Sequence, residues 1–158
     1  MFNFLKKPLH IIAPISGQTI SLDKVPDPVF AEKMAGDGVA IDSTGDTVVA
    51  PCDGTITLIM DSKHAFAMTT DEGIELLVHV GLETVELNGE GFEVLQKVNT
   101  KVTAGTPILK VNRTFIESKG ISLITPVLIV NHDKLKMLNP IINQTVSCGK
   151  TPVIEYKL

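Results

Sequence analysis

The chain has 158 residues, 44% hydrophobic and 20% charged, a balance sufficient for one packed domain and incompatible with global disorder. Its net charge of −4 and single arginine, Arg113, argue against a nucleic-acid surface, which relies on guanidinium forks for phosphates and bases. No apolar run reaches the ~18 residues of a membrane span, and Cys52 and Cys148, far apart and without a CxxC phrase, read as reduced thiols of a cytosolic protein.

In chain order, Met1-Phe2-Asn3-Phe4-Leu5-Lys6-Lys7 places lysines after the apolar residues, the reverse of a secretory signal. Residues 1–10 therefore read as a flexible tail and 11–158 as a single domain. Short apolar runs punctuated by Gly, Pro, Asn and Asp follow, which is the pattern of an all-β protein. Strands are expected at His10–Ala13, Gly17–Ser21, Val39–Asp42, Thr47–Ala50, Gly54–Met60, Ala65–Thr69 and Ile74–Val80. Further strands are expected at Pro107–Val111, Ser122–Val130, Gln144–Val146 and Pro152–Tyr156. One or two helical turns are expected at Gly91–Lys97 and at Asp133–Leu138, the second capped near Asn131–Asp133.

Two phrases recur in the same order. Ala13-Pro14-Ile15-Ser16-Gly17-Gln18-Thr19-Ile20 echoes Ala50-Pro51-Cys52-Asp53-Gly54-Thr55-Ile56-Thr57. Val102-Thr103-Ala104-Gly105-Thr106-Pro107-Ile108-Leu109 echoes Val146 to Ile154 with one residue inserted. Either echo alone is a generic strand–turn phrase; together they indicate a repeated β unit. Repeated antiparallel units packed face to face predict a β-sandwich or flattened barrel.

The chemistry concentrates at His64 and His79. Between them lie two apolar strands and the turn phrase Thr70-Asp71-Glu72-Gly73. A hairpin centred on Asp71-Glu72 sets the two histidines directly opposite each other, while a shift of register by one residue sends them to opposite faces. In the first register His64, Phe66, Met68, Glu75, Leu77 and His79 share one face, and Ala65, Ala67, Leu76 and Val78 turn to the core. The histidine face is then an apolar surface suited to docking another protein. Paired imidazolium ions repel, so at least one ring is neutral near pH 7, and a neutral imidazole is a competent nucleophile. Its neighbour's N–H can steady charge on a phosphoryl oxygen. Spacing alone gives equal weight to two structural histidines held by backbone carbonyls.

Other chemistries have less support. The pair supplies half of a tetrahedral zinc site, yet His10 and His132 are remote and no H-x-H or HExxH phrase occurs. There is no G-x-S-x-G elbow, and Gly36-Asp37-Gly38 is too short to cradle phosphate. A biotinyl- or lipoyl-type carrier module needs a lysine at a hairpin tip, which the Thr70–Gly73 turn lacks.

Several phrases then fall in a recognisable order. They are Val25-Pro26-Asp27-Pro28-Val29-Phe30-Ala31-Glu32-Lys33, Gly36 to Ile41, Val49-Ala50-Pro51-Cys52-Asp53-Gly54-Thr55-Ile56, His64-Ala65-Phe66, Leu77 to Leu87 and Gly89-Glu90-Gly91-Phe92. Together they closely resemble the glucose-family IIA component of the bacterial phosphoenolpyruvate-dependent sugar phosphotransferase system. The match runs from about Ile11 to the C-terminus, with Thr125-Pro126-Val127 and Thr151-Pro152-Val153-Ile154 continuing it. The histidine block is the specific part of it.

The resemblance implies an antiparallel sandwich with a histidine pair in a shallow apolar depression. It implies that His79 accepts a phosphoryl group on Nε2 from the phosphohistidine of the carrier HPr and passes it to a cysteine of a IIB or IICB transporter. His64 would stabilise the phosphoryl oxygens, and Ser62 would supply an orienting hydroxyl where the family usually has threonine. Asp27, Val29, Phe30, Met34, Ala35, Leu77, Glu83 and Val85 would contact partners, although Phe30 read alone is a core residue, and Asp27 and Glu83 read alone are solvated charges. Glu83 stands where aspartate is common, and Pro28 and Ala35 replace larger or more flexible apolar residues, which bears on partner fit. No cofactor is expected, and zinc at His64 and His79 only where a partner adds ligands. The short N-terminus implies a free-standing IIA, and some relatives also regulate other proteins. The competing reading is a zinc-dependent hydrolase or zinc-regulated binder using His64 and His79.

Overall fold

The computed structural model describes residues 7–158. Its first strands are β1 Leu9–Ile12, β2 Gly17–Ile20, β3 Asp37–Ser43, β4 Thr47–Val49, β5 Gly54–Ile59, β6 Ala65–Thr69 and β7 Glu75–His79. The rest are β8 Phe92–Val94, β9 Lys101–Val102, β10 Pro107–Val111, β11 Ile124–Ile129, β12 Met137–Pro140, β13 Thr145–Val146 and β14 Pro152–Lys157. They form three sheets, ordered β1-β14-β12, β4-β10-β8 and β13-β2-β3-β11-β7-β6-β5-β9, and every ladder is antiparallel. This is the all-β sandwich expected from the sequence. Residues 1–6, most of the expected tail, lie outside the described residues, and Leu9 and His10 pair with Tyr156 and Glu155.

The repeat is visible in the backbone hydrogen bonds. Ala13 N donates to Thr151 O and Gly149 N to Ala13 O, each at 2.8 Å; Ala50 N donates to Thr106 O at 2.8 Å and Gly105 N to Ala50 O at 2.9 Å. The two phrases also bond to each other reciprocally, Ile12 N to Pro51 O and Val49 N to Pro14 O, both at 2.8 Å. Corresponding residues make corresponding bonds, so the repeats are related by an approximate two-fold axis.

Two apolar clusters hold the layers. The larger contains Ile11, Ile15, Ile41, Ile56, Phe66, Met68, Leu76, Val78, Ile108, Ile116, Val127 and Ile154. The smaller, made of Leu22, Val25, Phe30, Ala40, Leu82 and Leu128, lies beneath the histidine region. Alternate residues of β11 enter different clusters, Val127 and Ile129 the larger and Leu128 the smaller, so this strand is buried on both faces.

Both expected helical segments are corrected. Phe92–Val94 is strand β8, paired with β10, and only His132–Lys134 makes a turn of 3-10 helix before strand β12 begins at Met137. Gly91 has a left-handed φ of +90° and Phe92–Val94 takes the ladder that β10 offers, while Met137 and Leu138 take the one that β14 offers. The two short α-helices occur elsewhere: α1 at Pro28–Ala31 and α2 at Arg113–Ser118. Each has a side-chain cap. Asp27 Oδ1 accepts from Val29 N at 3.0 Å with Pro28 at the first helical position, and Asn112 Oδ1 accepts from Phe115 N at 3.1 Å.

Candidate functional site

The β6–β7 hairpin carries both histidines, and its turn sets their register. Thr70 N donates to Ile74 O at 2.9 Å and Gly73 N to Thr70 O at 3.0 Å, leaving Asp71, Glu72 and Gly73 as the loop. Gly73 takes the left-handed conformation, φ +88°, as a hairpin loop of this odd length requires. An odd loop moves the register by one residue from the even loop expected. Ala65 therefore pairs with His79, Phe66 with Val78 and Met68 with Leu76. The expected direct pairing of His64 with His79 is thus corrected, and so is the expected division of faces. Phe66, Met68, Leu76 and Val78 are the core face, while Ala65, Ala67, Leu77 and His79 lie on the other.

The two rings nevertheless meet. His64 precedes β6 and follows Lys63, whose φ of +61° breaks strand alternation at that point. Its carbonyl accepts from Val80 N at 2.7 Å, and its ring lies edge-on to His79, centroids 4.7 Å apart at 79°. The ladder between β7 and β11 runs from Leu76↔Ile129 to Val78↔Val127. It stops where His79 would meet Pro126, which has no N–H to give.

His79 Nδ1 lies 2.8 Å from Gly81 O. A carbonyl only accepts, so Nδ1 carries the proton and Nε2 keeps its lone pair whenever the ring is neutral. Burial lowers the pKa of His79 below 6.5, partly offset by the Gly81 carbonyl and the charge of Asp27. Burial also lowers that of His64, a positive charge on His79 lowers it further, and a weaker backbone influence from Ser62 opposes both. The rings are close enough that a positive charge on one disfavours a positive charge on the other. Near neutrality both rings are uncharged. His64 is 1% exposed, and its Nδ1 has no hydrogen-bond partner among the described residues.

The expected rim residues surround this pair unevenly. Val29, Met34 and Val85 are 43%, 71% and 49% exposed, an apolar fringe available to a partner. Phe30 is buried, as its reading in isolation suggested, but its ring packs 5.0 Å from that of His79, so it forms the histidine's wall. Ala35 and Leu77 are half-buried against the smaller cluster. Asp27 and Glu83 line a shared hollow with Leu82 and Ser122, and the charge of Asp27 acts on His79. Ser62 is half-buried, and its hydroxyl makes no hydrogen bond to either ring. Among the described residues no group of three His, Cys, Asp or Glu is placed to hold a metal ion.

Sequence reasoning missed two contributors. The Gly81 carbonyl fixes the tautomer of His79, and Pro126 ends the ladder beside it. The phrases Val80-Gly81 and Thr125-Pro126 were visible, but their effect depends on which strands become neighbours.

Residues 9–135 match the family model described as phosphoenolpyruvate-dependent sugar phosphotransferase system, EIIA 1. The chain belongs to this family. It is 40% identical over 154 residues to the glucose-specific EIIA component of Staphylococcus aureus, covering 98% of this chain and 93% of that protein. It is 49% identical over 126 residues to the mannose-specific EIIBCA component of Corynebacterium glutamicum, covering 80% of this chain and 18% of that longer protein. The fold matches glucose permease IIA from Mycoplasma capricolum with a TM-score of 0.87 and 36% identity, over 96% of this chain and 97% of that one. As an EIIA protein the chain is a phosphocarrier of sugar uptake, the phosphotransferase component that works with HPr and a IIB/IIC transporter. No helix among the described residues is long and apolar enough to cross a membrane. The zinc-hydrolase alternative is not supported.

Proposed function

We propose that His79 Nε2 receives the phosphoryl group from the phosphohistidine of HPr and delivers it to a cysteine of the IIB domain, on the cytoplasmic side of the transporter. The observation that carries this reading is the 2.8 Å bond from His79 Nδ1–H to Gly81 O, which leaves Nε2 as a neutral nucleophile. In the first transfer the Nε2 lone pair forms the new P–N bond as the donor's P–N bond breaks; the donor ring, protonated on its other nitrogen, leaves as neutral imidazole, and the His79 ring takes up the positive charge with Nδ1–H still on Gly81 O. In the second, the acceptor thiolate attacks phosphorus, the P–Nε2 bond breaks, and neutral His79 is restored. No proton is gained or lost by His79 in the cycle.

Phosphoryl transfer asks the protein mainly for position and electrostatic support. His64 supplies the second: its buried ring gains a strong acceptor once phosphoryl oxygens arrive, and the bond is charge-assisted. Ser62 stands two residues before it and would steady its ring, the hydroxyl turning inward when phosphate is bound. Val29, Met34, Ala35, Leu77 and Val85 give docking partners an apolar seat, Phe30 braces His79, and Asp27 and Glu83 steer a basic partner. No cofactor enters this cycle; zinc across His64 and His79 would need ligands from a partner. The glucose and mannose names of the relatives support a hexose as the transported sugar.

The test is phosphorylation with phosphoenolpyruvate, enzyme I and HPr. Wild-type protein should gain one acid-labile phosphate and His79→Ala none. Stable phosphate on another residue of His79→Ala would refute the assignment.

A further inference from the structure

Past His79 the chain leaves the sheet, and the carbonyl that holds the His79 proton lies in this irregular stretch. Gly81 and Glu83 are both left-handed, at φ +84° and +63°, and the bend they make carries Thr84 back to Val80. Glu83 bears a side chain, and such a residue keeps this conformation only where its surroundings compel it. The backbone supplies two restraints: Val80 N donates to His64 O at 2.7 Å and Leu82 N to Ser122 O at 3.0 Å. Neither ties the Val80 carbonyl. In a continued β6–β7 ladder that carbonyl would receive His64 N, but among the described residues no backbone N–H donates to it.

A side chain supplies the third restraint. Thr84 is wholly buried, and its hydroxyl donates to Val80 O at 2.7 Å. Val80 is wholly buried too, so bulk water cannot replace that donor, and an unpaired carbonyl there would be costly. The Val80 carbonyl and the Gly81 nitrogen share one rigid peptide plane, so holding the first holds the second. The Thr84 methyl meets the same residue from another direction. A Cβ added at Gly81 would stand 2.5 Å from Thr84 Cγ2, so the methyl lies against the bare Cα. Hydroxyl and methyl together clamp Gly81, whose own oxygen lies 2.8 Å from His79 Nδ1.

We propose that Thr84 is a positioning residue for phosphoryl transfer: it sets the Gly81 carbonyl, and through that carbonyl the tautomer of His79. This role rests on Nε2 of His79 being the nucleophile. The choice of ring nitrogen then depends on a hydroxyl five residues beyond the histidine, acting through two peptide groups. A buried threonine that served only the fold would affect stability and leave the His79 proton where it is.

Nitrogen NMR of the His79 ring in the unphosphorylated full-length protein, above pH 6.5 where the ring is neutral, tests this. In Thr84→Ala the ratio of Nδ1–H to Nε2–H should fall roughly twofold to tenfold, the worth of one hydrogen bond. Phosphorylation by phospho-HPr should slow in step with the Nδ1–H fraction. Thr84→Ser loses the same methyl but restores the hydroxyl, and it should recover most of both. Thr19→Val is the stability control. Thr19 is also wholly buried with its hydroxyl bonded to Gln144, but β3 and β11 separate its strand from β7. It should unfold at lower urea and keep the wild-type tautomer. A wild-type ratio in Thr84→Ala, or a ratio as far shifted in Thr84→Ser as in Thr84→Ala, would overturn the proposal. Phosphate on a residue other than His79 would instead sink the assignment of the nucleophile and leave the tautomer result standing.

Discussion

Replacing Gly81 by alanine separates the role of the Gly81 carbonyl from mere folding. Gly81 has φ +84°, and an added Cβ would stand 2.5 Å from Thr84 Cγ2 and 2.7 Å from Ser122 O. The left-handed conformation costs a non-glycine residue about 1–2 kcal/mol. Neither contact turns away freely: buried Thr84 is held by its hydroxyl on Val80 O at 2.7 Å, and the Ser122 oxygen belongs to the backbone that accepts from Leu82 N at 3.0 Å, so the Gly81 peptide must move. Overpacking of this kind adds about 1–3 kcal/mol, for a total loss of about 2–5 kcal/mol. Movement of the carbonyl removes the acceptor that keeps the His79 proton on Nδ1, a bond worth about 0.5–1.5 kcal/mol. The reactive tautomer should then fall by roughly twofold to tenfold relative to its rival.

Gly73→Ala is the matched control. It also has a left-handed φ, +88°, at the far turn of the same hairpin, but its Cβ would meet nothing within 4 Å. It should lose only the about 1–2 kcal/mol of backbone strain and transfer phosphate normally. The assay pairs urea unfolding with nitrogen NMR of the His79 ring and the rate of phosphorylation by phospho-HPr. If Gly81→Ala is destabilised yet keeps the Nδ1–H tautomer and the wild-type rate, the carbonyl does not set the nucleophile.

His64→Gln should still accept phosphate on His79, but onward transfer to IIB should fall by about two orders of magnitude, the effect of losing one donor to a developing oxyanion, measured by single-turnover transfer. Because the pKa of His79 is below 6.5, phosphorylation rates should be level above pH 6.5 and decline only at more acid pH, with the inflection below that value. Stability follows the same two histidines: above pH 6.5 folded and unfolded chains are both neutral there, and below it only the unfolded chain takes up the protons. Their contribution is therefore complete above pH 6.5, lost as pH falls toward the folded values and constant below them, which urea midpoints across that range will show. Arg113 donates to Ser43 Oγ, Gly45 O and Ser43 O at 3.0, 2.8 and 2.7 Å, so Arg113→Met should cost about 2–4 kcal/mol in urea unfolding while leaving His79 phosphorylation intact.

Most of the β pattern was legible because alternation, turn residues and repeated phrases are local. β6 matches its expected bounds, and the paired echoes reappear as paired hydrogen bonds. The register was not legible, because Thr70-Asp71-Glu72-Gly73 fits a loop of either parity, and only the left-handed Gly73 decides it. The error moved Phe66 and Met68 from the core to the surface without separating the rings, since His64 stands just outside the regular ladder. Helix α1 was missed although Asp27-Pro28 is a cap followed by proline, because four residues carry no period. Phe92–Val94 shows the opposite failure: nothing local marks it as a strand, and pairing with β10 makes it one.

The site depends on a conflict held in balance. A phosphoryl acceptor must be neutral, which favours burial, and it must reach two other proteins, which favours exposure. Phe30 and the smaller cluster keep water from one side of His79, while the interrupted β7–β11 ladder leaves its other edge open. The Gly81 carbonyl favours the proton on Nδ1, so burial can remove charge without leaving the choice of nitrogen to chance. On the proposed assignment His64 would complete the site, its buried ring donating to the oxygens of a phosphoryl group on His79. Such a bond would make the phosphorylated state more stable than His79 alone would make it. Transfer onward would then be governed by how far the IIB site can draw the oxygens away from His64, so the proposed assignment makes the second step the one most sensitive to changes at that residue.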